Sequence, residues 1–98
     1  MSSQKPLRVV AAGLGNMGRS HALAYETNPG FEIAALVNRS DVPLPELLRR
    51  HAIRRSFEEA LQEEKPDVAS INTYSDSHAD YAVKALESGC HVFVEKPL

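Results

Sequence analysis

Ninety-eight residues with a formal charge of −2, 43% hydrophobic and 24% charged side chains, suit one small soluble domain with a modest core and give no electrostatic footprint for nucleic acid or an anionic membrane. No apolar run approaches the ~18 residues that a membrane span requires, and the N-terminus MSSQKPLR has no signal-peptide core. The single Cys90 cannot close an internal disulfide and makes no zinc-type spacing with the four histidines, so a reducing, cytoplasmic setting with no metal site is expected.

Along the chain, Leu7–Ala12 is a run of β-branched and small apolar residues, as in a buried strand. It stops at Gly13, and a helix is predicted from Asn16 to about Asn28, closed by Pro29-Gly30. Gly18, Ala22 and Tyr25 share one face of that helix, and the two small residues would let it lie close to a sheet. Phe31–Val37 is a second strand. Leu44, Leu47 and Leu48 mark a helix stripe, with Pro43 and Pro45 near its start. The neighbouring Arg49, Arg50, Arg54 and Arg55 are flanked by acidic residues and read as a solvated helix face. Ile53–Arg54 is a short third strand. Ser56 and Glu59 form a capping-box pattern before a helix striped by Phe57, Ala60 and Leu61. Val68–Asn72 is the fourth strand. Asp76–Ser88 is a helix whose apolar positions Ala79, Ala82, Val83 and Leu86 follow i, i+3, i+4, i+7, with Gly89 ending it. Val92–Val94 is the fifth strand.

Strands alternate with helices and are apolar on both faces. This predicts an α/β, Rossmann-type doubly wound parallel sheet with helices on two sides, strand order 3-2-1-4-5, truncated after the fifth strand.

Within that frame the glycines of "VVAAGLGNMGRSHA" stand in G-x-G-x-x-G spacing between the first strand and the first helix. A phosphate-binding turn belongs there. Gly13 would permit the tight turn, Gly15 the approach of backbone to a pyrophosphate, and Gly18 close helix–strand packing. The N–H groups of Leu14, Gly15, Asn16 and Met17 would face the phosphates, aided by the helix dipole. Twenty residues past Gly18, where an NAD-binding unit usually carries an acid for the adenosine ribose, the chain has Asn38, Arg39 and Ser40. Arg39 offers a charged fork and its neighbours offer neutral hydrogen-bonding groups, which favours NADP(H), with NAD(H) possible. The alternative leaves Arg39 in solvent and Asp41 reaching back to the ribose.

The stretch "INTYSDSHADYAVKALESGCHVFVEKPL" resembles the Gfo/Idh/MocA family (glucose–fructose oxidoreductase / inositol dehydrogenase). Thr73, His78, Gly89, His91, Glu95, Lys96 and Pro97 match its pattern in order and spacing, whereas Tyr74 and Ser75 stand where Pro and Asn are usual. The resemblance runs from Arg8 to Leu98. It implies that Thr73, Tyr74, Ser75 and His78 border the nicotinamide ribose and that Glu95 and Lys96 stand beside the nicotinamide ring. Lys96 is there the catalytic residue, its charge easing removal of hydride from an alcohol. His78 could equally be a helix-start residue bonding backbone. His21, His51 and His91 read as structural or exposed, and Cys90 as inert.

Family members continue into a further helix and strand and then a larger substrate domain. The chain is therefore expected to be the front part, residues 1–98, of a dinucleotide-binding domain, inactive alone. The resemblance implies a sugar, cyclitol or related carbinol as substrate and a homo-oligomer as the whole protein. A non-catalytic dinucleotide-sensing module of the same fold is the alternative.

Overall fold

The computed structural model describes residues 5–73 and 75–94. In chain order these form β1 (Leu7–Ala12), α1 (Asn16–Thr27), β2 (Phe31–Val37), a single 3-10 turn (Glu46–Leu48), β3 (Ile53–Arg54), α2 (Phe57–Glu64), β4 (Val68–Ile71), α3 (Ser75–Glu87) and β5 (His91–Val94). The strands make one sheet in the order β3-β2-β1-β4-β5, every pair parallel. The strand–helix alternation predicts this order, and observed boundaries differ from the predicted ones by a residue or so.

Two cores lie on opposite faces of the sheet. Val10 and Ala12 of β1, with Ala69 and Ile71 of β4, pack under Phe57, Ala60 and Leu61 of α2 and Ala85 of α3. Ala11 and Leu36 pack on the other side with Ala22 of α1 and Leu48 of the 3-10 turn. Between β1 and β2 the register slips, Val9 pairing Ile33 but Val10 pairing Ala35. This extra residue in β2 moves its side-chain alternation to the opposite face. Ile33 accordingly joins the α1 core while Ala35 and Val37 join the other. No helix among the described residues is long and apolar enough to cross a membrane.

Three expectations change. The stripe Leu44, Leu47, Leu48 yields one 3-10 turn rather than a helix. Pro45 holds residue 44 extended and cannot donate a helical hydrogen bond, so helical structure starts late, and β3 begins five residues after it ends. Leu48 is fully buried, whereas Leu47 is 57% exposed. Second, α3 buries a different face: Ala85 is fully buried and Tyr81 and Ala82 pack against the core, while Val83 and Leu86 are exposed. Tyr81 stacks on Phe57 with ring centroids 4.3 Å apart, and that contact together with the small Ala85 turns the helix toward α2. Third, the four arginines share no helix face. Arg50 pairs with Glu26 at 3.0 Å, Arg55 with Asp41 at 3.1 Å, and Arg54 with both Glu63 and Glu64. The predicted cap is present: Ser56 Oγ accepts from the Glu59 N–H at 3.1 Å.

Glu26, near the C-terminal end of α1, ties that helix to the segment leading into β3. Its partly buried carboxylate accepts from His51 Nε2 at 2.8 Å and from Arg50. Chiefly the His51 hydrogen bond, against the opposing effect of burial, and then Arg50, hold its carboxyl below the usual carboxylate range. A carboxyl lowered on folding stabilises the protein above its unfolded pKa, about 4.3, and loses that contribution as pH falls through the folded value. Glu26→Gln should cost about 1–2 kcal/mol near neutral pH. In urea melts the gap from wild type should close as pH falls below the unfolded value and through the lowered folded one.

Candidate functional site

The glycine turn sits at the carboxyl edge of the sheet, where β1 gives way to α1. Gly13 adopts φ +90°, in the region that favours glycine. Its N–H donates to the Val37 carbonyl at 2.8 Å, and a Cβ there would meet the Asn72 carbonyl at 2.5 Å. The residue is thus held between the ends of β2 and β4. At Gly18 a Cβ would fall on the Gly13 carbonyl oxygen, so α1 closes onto the turn as tightly as backbone allows.

Gly15 is different. It is the N-cap of α1 with φ −70° and ψ −170°, a conformation open to any residue. A Cβ built on it meets nothing within 4 Å. Among the described residues neither backbone nor packing explains glycine at this position, and none of them fills the space above the helix N-terminus. The first-turn N–H groups of α1, at Asn16, Met17 and Gly18, have no intrahelical acceptor by geometry. Gly15 supplies no capping side chain and the first turn contains no acid, so the positive end of the helix dipole faces that space unopposed.

Two of the predicted contacts are redirected. The Leu14 N–H does not face a ligand: it donates to Asn38 Oδ1 at 2.9 Å, and the Leu14 side chain is buried in the α1-side core. Asn38 is correspondingly turned inward. Its Nδ2 donates to the Ser40 carbonyl at 2.7 Å and its backbone N–H to the Arg54 carbonyl at 2.9 Å. It braces the glycine turn against the loop after β2 rather than offering its amide to a ribose. Arg39 and Ser40 lie exposed on that loop. Arg19 Nη1 donates to the Pro43 carbonyl at 3.2 Å and Arg49 Nε to the Leu44 carbonyl at 3.0 Å, fixing the rest of it. Asp41, the candidate for reaching back to a ribose, is paired with Arg55 instead.

Across the turn, the end of β4 contributes Asn72 and Thr73. The Asn72 backbone N–H donates to the Ala12 carbonyl at 2.8 Å and its Nδ2 to Ser70 Oγ at 3.2 Å. Asn72 Oδ1 and Thr73 Oγ1 are buried with no hydrogen-bond partner among the described residues. Orphaned buried acceptors cost about 1–3 kcal/mol each, a cost that a ligand supplying donors would offset. Asn72 is the residue that pattern reading passed over. Its signal is a polar side chain directly after the apolar run Val68–Ile71, on the ligand-binding edge of a parallel sheet.

Ser75 and His78 supply backbone to the first turn of α3, as Asn16 and Met17 do in α1. Tyr74, Glu95 and Lys96 lie outside the described residues. Of the remaining histidines, His21 packs edge-on against Phe93 at 5.7 Å, His51 holds Glu26, and His91 is exposed.

Residues 7–98 match the model of the Gfo/Idh/MocA group, described as an oxidoreductase family with an NAD-binding Rossmann fold. The chain belongs to that family. A levoglucosan dehydrogenase from Pseudarthrobacter phenanthrenivorans is 37% identical over 94% of this chain and 26% of its own length. A scyllo-inositol 2-dehydrogenase (NAD(+)) from Bacillus subtilis is 31% identical over 94% of this chain and 28% of its own. Among solved structures, GenD2 from gentamicin A biosynthesis, in complex with NAD, superposes with a TM-score of 0.84 at 26% identity, covering all of this chain and 29% of that one. The chain thus spans under a third of the length of these Gfo/Idh/MocA relatives.

The turn geometry separates the three glycines. Gly18→Ala should destabilise the protein by about 3 kcal/mol or more, since backbone must move to admit one methyl. Gly15→Ala should cost no more than about 1 kcal/mol, the usual penalty for alanine at an N-cap. Urea denaturation of the two variants checks the difference.

Proposed function

We propose that this chain is the cofactor-binding portion of a pyridine-nucleotide-dependent oxidoreductase acting on a sugar, cyclitol or related carbinol. The observation that carries the proposal is Gly15, a glycine required by nothing among the described residues and standing at a helix N-terminus without a side-chain cap. A pyrophosphate approaching that N-terminus is the occupant that would require it. The orphaned Asn72 Oδ1 and Thr73 Oγ1 fit the same occupant, offering acceptors toward the nicotinamide ribose. The N–H groups of Asn16, Met17 and Gly18 would hold the phosphates, and Arg39 and Ser40 the adenosine end. The names of the levoglucosan and scyllo-inositol dehydrogenases support the substrate class.

Within this reading NADP(H) is favoured. Asn38 directly after β2 is neutral, Arg39 is exposed, and the nearby carboxylate of Asp41 is paired. NAD(H), which the scyllo-inositol enzyme and GenD2 carry in their names, is the alternative. A reducing, cytoplasmic location belongs to the same proposal. So does a homo-oligomer, supported by the exposed apolar Val83, Leu86 and Phe93.

Once bound, the nicotinamide supplies the carbon that exchanges hydride. By the family resemblance Lys96 stands beside the reacting carbinol, where a positive charge lowers the alcohol pKa and stabilises the developing alkoxide. Tyr74, Ser75, His78 and Glu95 are assigned by the same resemblance to the nicotinamide end.

Gly15→Asp tests the cradle. Aspartate is a good N-cap and complements the helix dipole, so the variant should match or exceed wild-type stability by about 0.5 kcal/mol. The same carboxylate should abolish binding of both NADPH and NADH, read by calorimetric titration. Unchanged binding would mean that phosphates do not sit at this turn.

Lys96→Ala in the whole protein should lower kcat by about 10²- to 10⁴-fold. Cofactor affinity should change little, because the charge acts mainly in the transition state. A collapse of cofactor binding with kcat reduced less than about tenfold would make Lys96 a binding residue instead.

A further inference from the structure

Of the arginine-rich run between Arg49 and Arg55, three members are absorbed by the framework. Arg49 holds the Leu44 carbonyl, Arg50 holds Glu26, and Arg54 holds Glu63 and Glu64. Arg55 is tied instead to the loop that would receive the adenosine ribose. The β2–β3 register pairs Val37 with Arg54, and the Asn38 N–H donates to the Arg54 carbonyl at 2.9 Å. This sets Arg55 level with Asn38 and Arg39 at the carboxyl edge of the sheet. Its Nη1 donates to the Arg39 carbonyl at 3.4 Å and its Nη2 pairs with Asp41 Oδ2 at 3.1 Å.

We propose that Arg55 is a second recognition residue for an adenosine 2′-phosphate, exchanging its Asp41 partner for the phosphate when the dinucleotide binds. The inference rests on the NADP reading above and extends it to a residue beyond the β2 loop. Arg55 would act in two ways. Before the dinucleotide arrives, its pairing with Asp41, the one carboxylate between Asn38 and Pro45, lessens the repulsion that an approaching phosphate would meet. Released, it adds a guanidinium fork beside Arg39, suited to bidentate contact with phosphate oxygens.

The exchange is physically easy. The Arg55 side chain is 59% exposed and Asp41 80% exposed, and an ion pair so open to water holds weakly. A phosphate carrying close to two charges offers the fork a stronger partner than a single carboxylate does. At 3.4 Å the contact from Nη1 to the Arg39 carbonyl is long, so it too yields when the guanidinium turns to a phosphate.

The test uses four ligands, NADPH, NADH, adenosine 2′,5′-bisphosphate and adenosine 5′-monophosphate, titrated against wild type, Arg55→Gln, Arg55→Lys, Asp41→Ala and Arg39→Gln, with thermal melts as folding controls. Arg55→Gln should weaken NADPH and the bisphosphate by about tenfold or more while leaving NADH and the monophosphate within about twofold. Arg55→Lys should recover part of the loss, and Asp41→Ala should tighten the two 2′-phosphate ligands alone. Equal losses on all four ligands, or no loss on any, would overturn the proposal. If Arg39→Gln discriminates the 2′-phosphate and Arg55→Gln does not, only the role of Arg55 fails. A wild type that binds NADPH no better than NADH, with Arg39→Gln without selective effect, overturns the NADP reading and this inference together.

Discussion

The carboxyl edge of the sheet is organised by how closely α1 approaches the end of β1. The Gly13 carbonyl occupies the place where a side chain at residue 18 would begin, and the Asn72 carbonyl crowds the corresponding place at residue 13. At this edge β1, α1 and β4 therefore meet backbone to backbone at Gly13 and Gly18. That contact brings the N-terminal turn of α1 over the end of the strand and leaves Gly15 at its rim. A helix set back by the width of one methyl group would carry its dipole and N–H groups away from the space beside Asn72 and Thr73.

Close approach needs an opposing support, and Asn38 provides it. One side-chain amide receives the Leu14 N–H and donates to the Ser40 carbonyl, so the glycine turn and the loop after β2 are tied together. Arg19 and Arg49 fasten the far part of the same loop through the Pro43 and Leu44 carbonyls. Arg54 reaches further, joining β3 to Glu63 and Glu64 on α2, and Arg8 of β1 shares Glu64 at 2.8 Å. Most basic side chains around the site are thus bonded to carbonyls or carboxylates of the framework. On the proposed function, the chemistry offered to a ligand would come mainly from backbone N–H groups, the Asn72 Oδ1 and Thr73 Oγ1 atoms and the charges on the β2 loop.

Much of this is legible in the sequence because alternation and spacing are local signals with few structural solutions. Apolar runs of four to seven residues between helical stretches leave a doubly wound parallel sheet as the economical arrangement, and glycine spacing locates the turn within it. Readings of which way a side chain faces are less secure: the stripe Phe57, Ala60, Leu61 is buried as expected, but that of α3 is not. Val83 and Leu86 keep helical spacing as well as Tyr81 and Ala85 do, and only the stacking of Tyr81 on Phe57 decides between the faces. An asparagine just past β2 looks the same whether its amide serves a ribose or the neighbouring turn. Asn72 carries little signal in the sequence, because a single polar residue at a strand end is ordinary and only the structure shows its Oδ1 buried without a hydrogen-bond partner among the described residues. The leucines before Arg49 keep helical spacing, yet Pro43 and Pro45 restrict the backbone there and leave a single 3-10 turn.

The most direct measurement is a titration of the isotope-labelled chain with NADPH, following backbone amide resonances by NMR. If the turn is a pyrophosphate cradle, saturable shifts should centre on Gly15, Asn16, Met17 and Gly18 and extend to Asn72 and Thr73. The Leu14 amide, already bonded to Asn38, should move least among the turn residues. Saturable shifts at the opposite edge of the sheet, around Gln62 to Pro66 and Ser88, with the glycine turn silent, would contradict it.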